Sequence, residues 1–135
     1  TATNSHTSNF AQVVCAEFFN RGYFHENLKK LIAIHKERRD AMIAAIDKYL
    51  PEGTKRVFPD GGLFTWVELP GGINTTELLE KAADYHVAYI AGAGFFTDKD
   101  GKGSNAMRIS FGNVSPEKID EGMRRLGELI KAEMK

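Results

Sequence analysis

Leu63-Phe64-Thr65-Trp66-Val67-Glu68-Leu69 is a run of aromatic and β-branched residues closed by Pro70-Gly71-Gly72. Such a run, bounded by turn residues, reads as a strand. Upstream, Lys55 to Phe58 is a shorter strand signal, and Pro59-Asp60-Gly61-Gly62 between the two has turn chemistry. Together they predict a β-hairpin. A second decisive stretch, Asn105-Ala106-Met107-Arg108-Ile109-Ser110-Phe111, alternates in the same way. Met107, Ile109 and Phe111 point to one face, Arg108 and Ser110 to the other. A third strand is expected at Val87-Ala88-Tyr89-Ile90.

The segments around these strands carry helical periodicity. A first helix is expected from about Phe10 to Asn20, with Asn9 as its cap, Phe10, Val13, Val14 and Phe18 on one face, and Gly22 ending it. A long helix is expected from about Glu26 to Leu50, stopped by Pro51-Glu52-Gly53, with an apolar stripe of Leu28, Leu31, Ile32, His35, Met42, Ile46 and Tyr49. At about 1.5 Å per residue it reaches close to 40 Å, against a radius of gyration of about 14 Å for a chain this size. It lies either along an interface with a second domain or across the sheet. A further helix from about Thr75 to Tyr85, capped at Asn74/Thr75, would bury Leu78, Leu79 and Ala82. Ser115-Pro116 supplies cap and first turn to a terminal helix lined by Ile119, Met123, Leu126 and Ile130. The fold class is therefore α/β in two layers (α+β): a small, mixed or mainly antiparallel sheet of three to four strands packed against helices, with one long N-terminal helix.

The 135 residues allow one domain with a real core. Eighteen basic residues balance 18 acidic ones, which argues against a dedicated nucleic-acid surface. No apolar run approaches the roughly 20 residues of a membrane span, and no signal peptide is recognisable. One cysteine, Cys15, cannot form an internal disulfide, so a reducing, cytoplasmic setting is expected. Residues 1–9 have no initiator Met and no structural pattern, and read as a disordered or linker end, leaving 10–135 as a single domain.

Most motif matches have simpler explanations. Asp98-Lys99-Asp100-Gly101-Lys102-Gly103 starts like a calcium loop, yet Ile109 stands where the bidentate Glu belongs. A surface turn explains it. Ser115-Pro116-Glu117-Lys118 matches Ser-x-x-Lys without the companion motifs, and helix capping accounts for the serine. His6, His25, His35 and His86 have no metal spacing, so no metal site is expected. His35 and Cys15 read as packed residues. Gly92-x-Gly94 lacks the third glycine and the following helix of a dinucleotide fingerprint. Arg108 is different. It either faces water or meets an anion, and Phe95-Phe96 could supply a dry wall for a guanidinium matched to a carboxylate.

Arg38-Arg39-Asp40 in the long helix, the run from Pro59 to Pro70, Gly-x-x-Phe at 92–95 and Asn105 to Phe111 occur in one order with sensible spacing. In this the chain resembles the C-terminal, small domain of a class I/II, fold type I pyridoxal-phosphate-dependent aminotransferase, in the 2-aminoadipate and aromatic-type branch. The resemblance covers 10–135, about the last third of such an enzyme. It implies that Arg108 grips the α-carboxylate of an amino acid, and that Gly61, Gly62, Phe95-Phe96 and Asn105 lie near the substrate. It also implies a parent that transfers an amino group from an amino acid to a 2-oxo acid with pyridoxal 5′-phosphate, as a homodimer with a large domain. The Schiff-base lysine motif, the Asp for the pyridine nitrogen and the phosphate-binding residues have no match here. No catalytic or cofactor-binding residue is therefore expected in this chain, and by itself it should neither hold the cofactor nor turn over. Two other classes stay open: the effector-binding half of an aminotransferase-like transcriptional regulator, and a free-standing carboxylate-binding module.

Overall fold

The computed structural model describes residues 8–97 and 100–134. Two compact units make it up, one ending at Ile34 and one running from His35. The expected linker over 1–9 lies outside the described residues as far as Thr7; Ser8 and Asn9 begin the first helix.

In the first unit, α1 (Asn9–Asn20) starts one residue earlier than expected and is capped by Ser8, whose hydroxyl accepts from the Ala11 amide at 3.5 Å. It ends at Gly22, which adopts φ 77°. None of its residues is buried, so the stripe of Phe10, Val13, Val14 and Phe18 is exposed, as is Cys15. Within this unit Phe19 and Phe24 stack with centroids 4.3 Å apart, and Phe18 meets Tyr23 at 5.9 Å. The long helix α2 (Tyr23–Tyr49) is one continuous element, as its periodicity predicts. Its early stripe residues Leu28, Leu31 and Ile32 are exposed.

The second unit holds the core. It adds β1 (Lys55–Arg56), β2 (Phe64–Glu68), α3 (Thr75–Ala82), β3 (Ile90–Ala91), a 3-10 turn (Gly92–Phe95), β4 (Ala106–Ser110) and α4 (Pro116–Glu133). The strands form one sheet in the order β1-β2-β4-β3, and every pairing is antiparallel. The hairpin is present, but Phe58 lies outside β1 and is exposed, and the third strand is shorter and later than Val87–Ile90. One sheet face carries Thr65, Val67, Met107 and Ile109, and it packs on Met42, Ile43, Ala45 and Ile46 of α2, Leu78 and Ala82 of α3, and the full predicted stripe of α4. Fully burying an aliphatic or Met side chain of this kind stabilises the fold by about 1.5–3 kcal/mol.

Local chemistry explains the ends of α3. The Asn74 side chain accepts from the Thr76 amide at 3.0 Å, as expected of a cap. At the other end the Val87 amide donates to the Ala82 carbonyl and the His86 amide to the Ala83 carbonyl. That is a Schellman closure, and it puts His86 at φ 55°, the position glycine usually takes. Ser115 stands before α4 with Pro116 in its first turn, but its hydroxyl makes no capping bond. No helix is long and apolar enough, among the described residues, to cross a membrane.

Candidate functional site

The face of the sheet turned away from the core is built by strand parity. In β4, Met107 and Ile109 are buried and Arg108 alternates to the opposite side. The antiparallel register sets Trp66 of β2 directly across from Arg108, and Ile90 of β3 across on its other flank. Phe64, two residues before Trp66, pairs with Ser110 on the same face.

Aromatic rings from this face and the following turn approach the guanidinium. Its central carbon lies 4.2 Å from the centroid of the Phe64 ring and 5.0 Å from that of Phe95, so two aromatic rings lie within cation-π distance of Arg108. The Phe95 ring meets Trp66 edge-on at 5.5 Å, and Phe96 leans on the same indole at 6.3 Å. Beside Arg108 a recess of about 190 Å³ is lined by Phe64, Ala88, Tyr89, Ile90, Arg108 and Ser110. Stacking places and desolvates a guanidinium without using its N–H donors.

Those donors are not consumed by the protein. The Arg108 Nε is buried and has no hydrogen-bond partner, and no carboxylate among the described residues pairs with this side chain. Every other arginine is engaged. Arg21, Arg39, Arg56, Arg124 and Arg125 bond carboxylates, and Arg38 donates to the Gly112 carbonyl. A buried donor without a partner costs about 1–3 kcal/mol, more when charged. Two parallel N–H···O bonds to a carboxylate would recover that cost.

The other residues singled out from sequence are placed unevenly. Phe95 is at the site, and Phe96 stands next to it. Gly61 and Gly62 form an exposed turn two residues ahead of Phe64, and no heavy atom lies within 4 Å of where a Cβ on either would sit. Gly62 adopts φ 82°, which lets the chain reverse into β2. The Asn105 amide donates to the Leu69 carbonyl at 2.7 Å, and the Leu69 amide returns a bond to the Asn105 carbonyl at 2.8 Å. Asn105 thus fastens the ends of β2 and β4 together. Phe64, Trp66 and Ile90 were missed as site residues. Alternation along the strand puts Phe64 and Trp66 on one face, but only the pairing of β2 with β4 brings that face to Arg108.

Elsewhere, Asp98 and Lys99 of the calcium-like loop and His6 lie outside the described residues, while Asp100 and Lys102 pair with one another at 3.0 Å in a turn. No group of three or more metal-binding side chains gathers among the described residues. His35 is half-buried, and its Nδ1 lacks the hydrogen bond expected of a packed histidine.

The profile described as aminotransferase class I and II matches residues 1–126. Aromatic-amino-acid aminotransferase 1 of Thermococcus litoralis is 45% identical over 129 residues, covering 96% of this chain and 30% of that protein. A crystal structure of an α-aminoadipate aminotransferase from Thermus thermophilus, complexed with N-(5′-phosphopyridoxyl)-L-leucine, superposes with a TM-score of 0.85 at 35% identity, over 94% of this chain and 32% of that one. An uncharacterized HTH-type transcriptional regulator of Bacillus subtilis is 28% identical over 129 residues, 96% of this chain and 26% of the regulator. The chain spans between about a quarter and a third of the length of these relatives.

Proposed function

The chain belongs to the aminotransferase class I and II family, and from that premise we propose that it is the C-terminal small domain of a pyridoxal-phosphate-dependent transaminase and supplies the arginine that grips the substrate carboxylate. The parent transfers an amino group from an amino acid to a 2-oxo acid, acts as a cytoplasmic homodimer and draws its remaining site residues from a large domain. The observation that carries the reading is the state of Arg108: within cation-π reach of Phe64 and Phe95, buried at Nε and, among the described residues, alone of the arginines in having no carboxylate or carbonyl partner.

The chemistry follows from the donors. A planar fork binds a carboxylate through two bonds at once, which fixes both its position and its rotation. Holding the α-carboxylate so restricts the substrate to one orientation, and orientation is a large part of a bimolecular barrier. Burial of the Nε beside these rings strengthens the charge pairing there.

The Arg108 face offers one guanidinium, the Ser110 hydroxyl, aromatic rings and a Glu68 carboxylate that accepts from the Trp66 indole. That donor set suits a carboxylate. It does not suit pyridoxal phosphate, which calls for an amine, a carboxylate at the ring nitrogen and several phosphate donors. In this reading the chain alone is inactive and holds no cofactor firmly.

The test is Arg108→Leu in the full-length protein, with Arg108→Lys beside it. Losing a buried, hydrogen-bonded charge partner should lower kcat/KM for every amino donor by about two to three orders of magnitude. Lysine, a point charge without the fork, should recover only part of it. A change below about threefold in Arg108→Leu, with melting temperature preserved, overturns the role.

The likeness to the regulator favours a second reading, in which Arg108 anchors an effector carboxylate. A full-length protein with no amino-group transfer and amino-acid-dependent DNA binding would establish it.

A further inference from the structure

Phe95 is brought to Arg108 by a segment whose own seating is unusually close. A Cβ on Gly103 would fall 2.4 and 2.6 Å from Cε2 and Cδ2 of Phe96, so the Phe96 ring occupies the space a side chain would need. Gly92, at the start of the same 3-10 turn, is equally tight: its Cβ would lie 2.7 Å from the Cβ and carbonyl oxygen of Ala106 and from the Gly103 carbonyl oxygen. The seat itself is hydrogen-bonded, with the Ala106 amide donating to Gly103 and the Ser104 amide to Gly101. It runs straight into β4, the strand that carries Arg108.

From this geometry we infer that Phe96 is a positioning residue for the Arg108 site, a clasp on the bare α-carbon of Gly103 that sets the Gly92–Phe95 turn so that Phe95 caps the guanidinium. The inference rests on reading Arg108 as a carboxylate anchor. Phe96 touches neither Arg108 nor the recess beside it. It acts through its neighbour, because adjacent residues on one short turn cannot shift independently, and through Trp66, which both rings contact. The turn is thereby referenced to the segment leading into the arginine's strand at two close approaches, the Phe96 ring on Gly103 and Gly92 on Ala106 and the Gly103 carbonyl. Gly103 also has φ 70°, so a side chain there strains the backbone as well as striking the ring.

The experiment uses the full-length protein and two matched probes, 3-phenylpropanoate and its amide, with dissociation constants from calorimetry and crystal structures of the variants. Phe96→Ala should weaken the carboxylate about tenfold, as loss of one stacked ring on a desolvated cation implies, and leave the amide within twofold. Its structure should show Phe95 displaced from Arg108. Phe96→Tyr, which keeps the ring, should bind as the parent does. Gly103→Ala should reproduce the Phe96→Ala loss, and the double variant should be no worse than either single one, because each opens the same clasp. Carboxylate binding within twofold of the parent in Phe96→Ala, with Phe95 still about 5 Å from Arg108, overturns the inference. Should Arg108→Leu itself leave carboxylate affinity unchanged, the anchor reading falls, and the position of Phe95 in the Phe96→Ala structure alone decides the clasp.

Discussion

Arg108 and Tyr89 are both polar groups placed against apolar neighbours, and they are handled in opposite ways. The Tyr89 hydroxyl is buried and donates to the Thr75 carbonyl at 2.7 Å, while the Thr75 hydroxyl lies 2.6 Å from the Ala106 carbonyl. That network is closed within the fold, and burial pushes the Tyr89 phenol above its ordinary value of 10. The sign of the linkage follows. Above pH 10 the unfolded chain gives up this proton while the folded chain keeps it, so the contribution is complete below about 10 and is lost as pH rises towards the folded value. Tyr89→Phe should cost about 1 kcal/mol at pH 8. The gap to the parent should narrow by pH 11, as followed by urea unfolding at both pH values. Arg108 is the reverse: its rings position it, and its donors stay open. Parity along 105–111 already put it on the face away from Met107 and Ile109. The rings that flank it were legible only as aromatic residues, since neither Phe64 nor Phe95 is near it in sequence.

Among the elements, α4 is the one whose sequence and structure agree most fully. Ile119, Met123, Leu126 and Ile130 recur at three- and four-residue spacing, and all are buried. Gly127, on the same helix, has a role that periodicity does not reveal. A Cβ there would lie 2.6 Å from the Tyr49 carbonyl oxygen at the end of α2. Helix propensity alone makes Gly→Ala favourable by about 1 kcal/mol. The contact is with backbone, which cannot swing aside, and overpacking of this kind costs about 1–3 kcal/mol. Gly127→Ala is therefore expected to destabilise, lowering the urea midpoint with an unchanged m-value; a raised midpoint would show that α2 gives way. The short elements were harder to read. β3 was expected at Val87–Ile90 and occupies Ile90–Ala91, because the Schellman turn at His86 takes up the residues before it. Hydrophobicity marked the segment, and helix-end hydrogen bonding decided where the strand could begin.

At the scale of the whole molecule, every buried side chain of the described chain falls between Met42 and Ile130, inside the unit that starts at His35. The apolar stripes of α1 and early α2 were visible in sequence and are exposed in the structure. Periodicity reports that a helix has an apolar face; it carries no information on what covers that face. The same division runs through the protein. Sequence alone determined the order of elements, the alternation of both central strands, the α4 core stripe and the aminotransferase resemblance, because each depends on neighbours a few residues apart or on motifs in register. Tertiary structure decided that β2, β3 and β4 lie side by side with Trp66 and Ile90 across from Arg108, and that Phe64 and Phe95 close over it. Those choices depend on pairing and loop packing between segments tens of residues apart, where the strand period specifies a face but not its occupants.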